Sequence, residues 1–159
     1  MKDALLEVRD LKKHYPVTGG LFRRTVGTVR AVDGISFDVE KGSTFGLAGE
    51  SGCGKSTAAR AVLRLEEPTS GSIRFNGEDF SAKGPEELRL ARTDMQMIFQ
   101  DPYSSLNPRH TVAKIISEPL RVHNIGTHAE QKERVRHLLD VVGLPTDAAN
   151  EFSYQVRLG

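Results

Sequence analysis

Gly49-Glu50-Ser51-Gly52-Cys53-Gly54-Lys55-Ser56-Thr57 fits the spacing G-x-x-x-x-G-K-[ST]. Glycines at such positions let successive backbone N–H groups converge on one anion, and a helix starting at the end of the loop adds its positive dipole end. The chemistry this supports is recognition of a triphosphate. Lys55 is expected to reach the β- and γ-phosphates, and Ser56 to place its hydroxyl on the Mg²⁺ that bridges them; Thr57 adds a hydroxyl or N–H nearby. Gly49, Ser51, Gly52, Cys53 and Gly54 are expected to form the rest of the cradle, with ATP the expected ligand. The four fixed positions occur by chance in on the order of one per cent of chains this long. Cys53 reads as a small side chain filling space, because no histidine stands near it in sequence to make a nucleophile of it.

A phosphate loop works only between a strand and a helix. Thr44-Phe45-Gly46-Leu47-Ala48 is a nearly continuous apolar run, which predicts a strand buried on both faces of a parallel sheet and feeding the loop. Ala58 to Leu65 supplies strong helix formers, and Pro68 with Ser70-Gly71 ends that segment. Upstream, Leu5 to Leu11 reads as a strand with one solvated face. Tyr15 to Thr28 reads as a Gly-rich, basic connection, and Val29 to Val39 as a second strand. Downstream, a strand over Ser72 to Phe75 meets a turn at Asn76-Gly77, and Pro85-Glu86-Glu87 opens a short helix. Met95 to Phe99 predicts another buried strand, stopped by Gln100-Asp101-Pro102. Val112 to His123 is expected to be helical despite Pro119. Thr127-x-x-Glu130 is a capping box for a last helix, whose apolar stripe is Val135, Leu138, Leu139 and Val142 and whose cap is Gly143. The order implies an α/β fold: an antiparallel β region, a strand-loop-helix core, and the beginning of a helical region.

With 159 residues the chain is the size of one domain or part of one, and a net charge of +1 argues against a nucleic-acid binder. One cysteine excludes an internal disulfide, and no run reaches the roughly 18 apolar residues that cross a bilayer. No signal-peptide pattern opens the chain, so a cytoplasmic setting is expected. Arg23, Arg24 and Arg30 read as a solvated hairpin, and His123, His128 and His137 as surface histidines without metal-ligand spacing. Asp140, on the last helix, reads as solvated.

Beyond the loop, three stretches carry a resemblance. They are Leu11-Lys12-Lys13-His14-Tyr15-Pro16-Val17 with Gly20 to Arg24 and Val29 to Phe37; Leu65-Glu66-Glu67-Pro68-Thr69-Ser70-Gly71; and Phe99-Gln100-Asp101-Pro102-Tyr103-Ser104-Ser105-Leu106-Asn107-Pro108-Arg109. Through nearly its whole length the chain resembles the ATP-binding subunits of ABC transporters, in the oligopeptide and dipeptide importer branch. The resemblance implies a P-loop NTPase (ABC ATPase) core over residues 1–100 and the start of a helical subdomain over 101–159. It also implies that Tyr15 stacks on adenine, and that Gln100 touches Mg²⁺ and the attacking water. The partners implied are transmembrane permease subunits and a second ATP-binding subunit, at the inner face of the cell membrane.

In that family one subunit's phosphate loop works against the other's Ser-Gly-Gly-Gln signature, with a glutamate at an acidic strand end. Here Ser153 is followed by Tyr154 where the family has glycine, and a Cβ with a ring there obstructs close approach of backbone amides to a phosphate. No acidic strand follows, so no residue is assigned a catalytic role and hydrolysis is expected only of a complete family protein. A different P-loop enzyme, such as a small-molecule kinase with Asp101 on Mg²⁺, is the alternative.

Overall fold

The structure, a computed structural model, describes residues 4–19, 24–101 and 105–152. The chain divides into two compact units, Met1–Met95 and Gln96–Gly159.

The first unit is built on a hairpin. Strand β1 (Ala4–Gly19) pairs antiparallel with β2 (Arg24–Glu40), from Ala4 opposite Glu40 to Gly19 opposite Arg24. The segment expected to be an irregular connection from Tyr15 to Thr28 is therefore mostly strand. Cross-strand pairing overrides the weak propensity of Gly19 and Gly27, and only residues 20–23 remain between the strands, outside the described residues. Strand β3 (Ser70–Phe75) pairs with the other edge of β1, and β4 (Glu78–Asp79) adds to β3, giving the antiparallel order β2-β1-β3-β4. Asn76 and Gly77 both have positive φ, 51° and 81°, as the two central positions of a tight hairpin turn require.

A bulge in β1 sets which side chains enter the core. Val8 and Leu11 are both fully buried, although residues three apart on a regular strand face opposite ways. Arg9 lies opposite Ser72 and Lys12 opposite Ser70, so β1 carries one more residue than β3 across this interval, and Asp10 takes the left-handed φ of 45°. The extra residue returns Leu11 to the core face. The Asp10 backbone N–H donates to Ser36 Oγ at 2.8 Å. Gly71 (φ 103°) packs directly on the bulge, where an added Cβ would lie 2.6 Å from Asp10 O and from Leu11 Cα.

Helix α1 (Lys55–Val62) buries Ala58, Ala61 and Val62. Helix α2 (Pro85–Ala91) contributes Leu88, and the core is completed by Ile73 and Phe80. Arg64, just past α1, donates to Phe80 O at 3.0 Å and Lys83 O at 2.8 Å, fixing the segment between β4 and α2 to the end of the helix.

Two expected strands are absent. Thr44–Ala48 and Met95–Phe99 are not strands, and the sheet contains no parallel pair among the described residues. A parallel ladder needs a neighbour delivered in the same direction by a crossover, and here every ladder is antiparallel: β1–β2 and β3–β4 are hairpins, and β3 returns antiparallel to β1 after the loop and α1. The apolar side chains that suggested burial consequently stay accessible: Phe45 and Leu47 are each 45% exposed and Ile98 is 94% exposed. Phe45 finds a partner in Phe37, with ring centroids 4.7 Å apart.

The second unit holds α3 (Val112–Val122), α4 (His128–Val141) and a 3₁₀ turn (Thr146–Asn150). Thr111 caps α3, and Pro119 is tolerated within it. The capping box of α4 forms: Thr127 Oγ1 accepts from Glu130 N at 3.4 Å, and Glu130 Oε2 accepts from Thr127 N at 2.6 Å. The Thr127 N–H foremost, and the Thr127 hydroxyl donating to the same Oε2 at 2.8 Å, hold the Glu130 carboxyl below the usual glutamate range. The carboxylate therefore stabilises the folded state above that range, and its contribution is lost as pH falls through the lowered value. Along the stripe, Val135 and Leu139 are buried but Val142 is 67% exposed, because Gly143 (φ 72°) ends the helix there. Thr127→Ala is expected to cost about 1 kcal/mol of local stability, read as faster amide exchange in the first turn of α4 with the first unit unchanged.

Candidate phosphate-binding site

The loop from Gly49 to Gly54 is exposed along most of its length and ends on α1. Gly54 occupies the N-cap in the left-handed region, φ 93°, with no side chain capping the helix. The first N–H groups of a helix have no intrahelical partner, so α1 begins with amides from Lys55 to Thr57 that need an acceptor. An anion at the mouth of the loop satisfies them and meets the positive end of the helix dipole.

The close packing of the loop explains its glycines. A Cβ on Gly49 would lie 2.6 Å from Cys53 Sγ, and one on Gly54 would lie 2.0 Å from the backbone carbonyl of Ala31 on β2. Gly52 (φ 81°) needs the left-handed region but meets nothing within 4 Å. Cys53 is exposed, with Sγ 3.5 Å from Lys55 Nζ, and its bulk sets the packing against Gly49. Lys55 Nζ donates to Gly49 O at 2.7 Å and Glu50 O at 2.6 Å. The ammonium is thus held across the loop by neutral carbonyls. Ser56 is exposed at the start of α1, and Thr57 half-buried. At the base of the loop is a cleft of about 290 Å³, lined in part by Ala31, Val32, Leu47, Ala48, Cys53 and Lys55. The set fits a Mg²⁺-triphosphate: an uncapped helix N-terminus, one ammonium, one exposed hydroxyl, and a backbone too tight for any Cβ at Gly54.

Tyr15 lies on β1 opposite Val29 of β2. Its hydroxyl donates to Glu66 Oε2, and Lys13 Nζ stands 5.0 Å from the ring centroid. The carboxylate raises the Tyr15 hydroxyl above its ordinary value, with partial burial adding to the effect; the Thr57 side chain lies near enough to oppose it. The same hydrogen bond holds the Glu66 carboxyl below the usual range, and Arg60 reinforces it. The tyrosine expected at the base end of a nucleotide is thus linked to the helix that begins at the phosphate loop. Nothing in local sequence signals this link. Glu66 belongs to the stretch Leu65–Gly71, whose local pattern marks the end of a helix and nothing of this contact.

Gln100 is exposed at a bend in the second unit. Asp101 is exposed and already engaged. His128, His137 and Asp140 are exposed and His123 is half-buried. Arg24 and Arg30 are exposed on β2, and Arg30 pairs with Asp33 at 3.3 Å. Arg23, the stretch Pro102-Tyr103-Ser104 and the residues from Ser153, including Tyr154, lie outside the described residues.

Comparison with known proteins finds relatives over nearly the whole chain. The chain is 50% identical over 159 residues to the oligopeptide transport ATP-binding protein AppF of Bacillus subtilis (strain 168), covering 99% of this chain and 48% of that protein. It is 48% identical over 161 residues to the oligopeptide transport ATP-binding protein OppF of the same organism, covering 100% of this chain and 50% of that one. The chain thus spans about half the length of the curated relatives it matches. Among solved structures, the ATP-binding cassette MJ0796, in a dimeric post-hydrolysis state bound to ADP and Pi, superposes with a TM-score of 0.75 at 21% identity. That match covers 96% of this chain and 63% of the other and shows the shared fold. The ABC transporter family model matches residues 32–157, from the strand behind Gly54 through the phosphate loop and the helices of the second unit, and the chain belongs to that family.

Proposed function

We propose that this chain binds Mg·ATP through Gly49–Thr57 and is the ATP-binding part of a peptide importer's motor. The observation that carries the reading is the left-handed Gly54 cap, which opens α1 toward the loop with Lys55 Nζ stationed across it. In this reading Lys55 neutralises the β- and γ-phosphates, Ser56 offers its hydroxyl to Mg²⁺, and the amides of the first turn of α1 donate to the phosphate oxygens. The bound Mg²⁺ supplies charge neutralisation of the triphosphate. Tyr15 stacks on the adenine, and Gln100 serves at the Mg²⁺ and the attacking water, which would couple nucleotide state to the membrane partners. Those partners are transmembrane permease subunits and a second ATP-binding subunit, at the inner face of the cell membrane. Support for the peptide assignment is that two relatives at about half identity are oligopeptide transport ATP-binding proteins. No helix among the described residues is long and apolar enough to cross a membrane. The family match favours this reading over a small-molecule kinase using Asp101.

Calorimetry with Mg·ATP, with phosphate release measured on the same sample, tests the proposal. Saturable binding without turnover is expected, since turnover would require a signature and a catalytic glutamate that no residue here is assigned to supply. Absence of binding by the folded protein overturns the reading, and turnover well above background overturns the expectation that these residues hold nucleotide without cleaving it.

A further inference from the structure

We infer that Glu66 is a positioning residue for nucleotide-base recognition: it locks the Tyr15 ring to helix α1 and so sets the base platform relative to the phosphate loop. The inference rests on the reading that Tyr15 stacks on adenine.

Glu66 is anchored to α1 twice. Its backbone N–H and that of Leu65 donate to Arg60 O, at 3.3 and 2.9 Å, and its Oε1 accepts from Arg60 Nη1 at 3.4 Å. Its other carboxylate oxygen accepts the Tyr15 hydroxyl. A hydroxyl donating to an ionised carboxylate makes one of the stronger hydrogen bonds available to a side chain. Arg60 leaves α1 five residues after Lys55, so one rigid helix carries the phosphate-binding amides at its start and the anchor of Tyr15 at its end. Lys13 completes the arrangement: its ammonium stands over the Tyr15 ring while donating to Glu67 O at 2.7 Å. The neighbouring glutamate's backbone thereby holds a cation against the ring. A tyrosine left to its own rotamers would have to be ordered by each incoming base, and a ring already fixed avoids that cost.

The consequence is specific to base-containing ligands. Among the described residues the Glu66 carboxylate is bonded to Tyr15 and Arg60 and directly to no residue of the phosphate loop, so a triphosphate without a base should be nearly indifferent to it. The test compares Mg·ATP with Mg·tripolyphosphate in calorimetric titrations of the intact protein and its variants. Glu66→Ala is expected to weaken Mg·ATP binding about 5- to 10-fold while changing Mg·tripolyphosphate by less than about twofold. Tyr15→Phe should reproduce that loss, and the double variant should be no weaker than either single one, because both remove the same bond. Glu66→Gln, which keeps an acceptor oxygen, should recover most of the affinity. Tyr15→Ala separates the two readings. If it leaves the preference for ATP over tripolyphosphate intact, base stacking on Tyr15 is wrong and the inference falls with it. If it erases the preference but Glu66→Ala does not reduce it, stacking stands and the positioning role of Glu66 is overturned. Equal loss of both ligands in Glu66→Ala and Glu66→Gln also overturns it, since that pattern marks a general structural role.

Discussion

Replacing Lys55 with alanine weakens Mg·ATP binding by about 100-fold, equivalent to about 3 kcal/mol, while leaving the unfolding midpoint in urea nearly unchanged. The ammonium sits across the loop on two neutral carbonyls, Gly49 O and Glu50 O. Exchange of these partners for phosphate oxygens converts ordinary hydrogen bonds into charge-assisted ones, which are roughly twice as strong. The exchange also brings a positive charge to a group of at least three negative ones. Stability changes little because the hydrogen bonds that the substitution removes, to Gly49 O, Glu50 O and Cys53 Sγ, join the first residue of α1 to the exposed loop just before it. Lys55→Arg is not a conservative control, as the planar guanidinium does not fit a point site shaped for an ammonium. It should lose most of the affinity as well. Titration calorimetry of the wild type and both variants decides the matter, and an affinity for Mg·ATP indifferent to Lys55→Ala would remove the loop from consideration as the binding site.

Gly54→Ala should be worse, because it damages the fold as well as the site. At φ 93° an L-residue costs roughly 1–2 kcal/mol, and the new Cβ would lie 2.0 Å from Ala31 O. Neither side of that contact can yield cheaply. Ala31 is the extra residue of a bulge in β2, held on both sides by paired neighbours, Val32 opposite Lys13 and Arg30 opposite His14, and Gly54 is fixed as the cap of α1. The expected loss is about 3 kcal/mol or more of stability in the first unit, with nucleotide binding abolished. Gly52→Ala is the matched control. Its φ of 81° carries the same conformational cost but the space around it is open, so it should lose only about 1 kcal/mol and keep measurable binding. Urea midpoints for the pair separate strain from collision: equal losses would mean that the contact with Ala31 relaxes, and the close packing of the loop on β2 would then not be a constraint.

The site was more legible than the sheet. Loop chemistry depends on neighbours in sequence, so the spacing of Gly49, Gly54, Lys55 and Ser56 located the helix start without knowledge of the fold. The capping box at Thr127 and the positive-φ turn at Asn76-Gly77 were readable for the same reason. The failures share another cause. Apolar runs at Thr44–Ala48 and Met95–Phe99 report what a segment would bury, not whether a strand is present beside it, and here they remain outside the sheet. Conversely, Tyr15 to Thr28 looks irregular by composition yet is mostly strand because each side has the other to pair with. Contacts linking distant residues, such as Glu66 with Tyr15 or Ala31 with Gly54, leave no local pattern at all.

The spare residue in β1 also gives insertions and deletions in this strand a mechanical meaning. Val8 and Leu11 share a face because Asp10 is supernumerary relative to Ser70–Ser72. A chain lacking Asp10 would run from Val8 to Leu11 as a regular strand with inside and outside preserved. A single deletion within the regular stretch from Leu6 to Val8 would instead exchange the two faces on one side of the gap. Asp10 and Gly71 are therefore coupled: without the bulge, the close approach to Asp10 and Leu11 disappears, and the positive φ of 103° is what still favours glycine at position 71. Length variation in this hairpin has a tolerated address, and it lies a few residues before Tyr15.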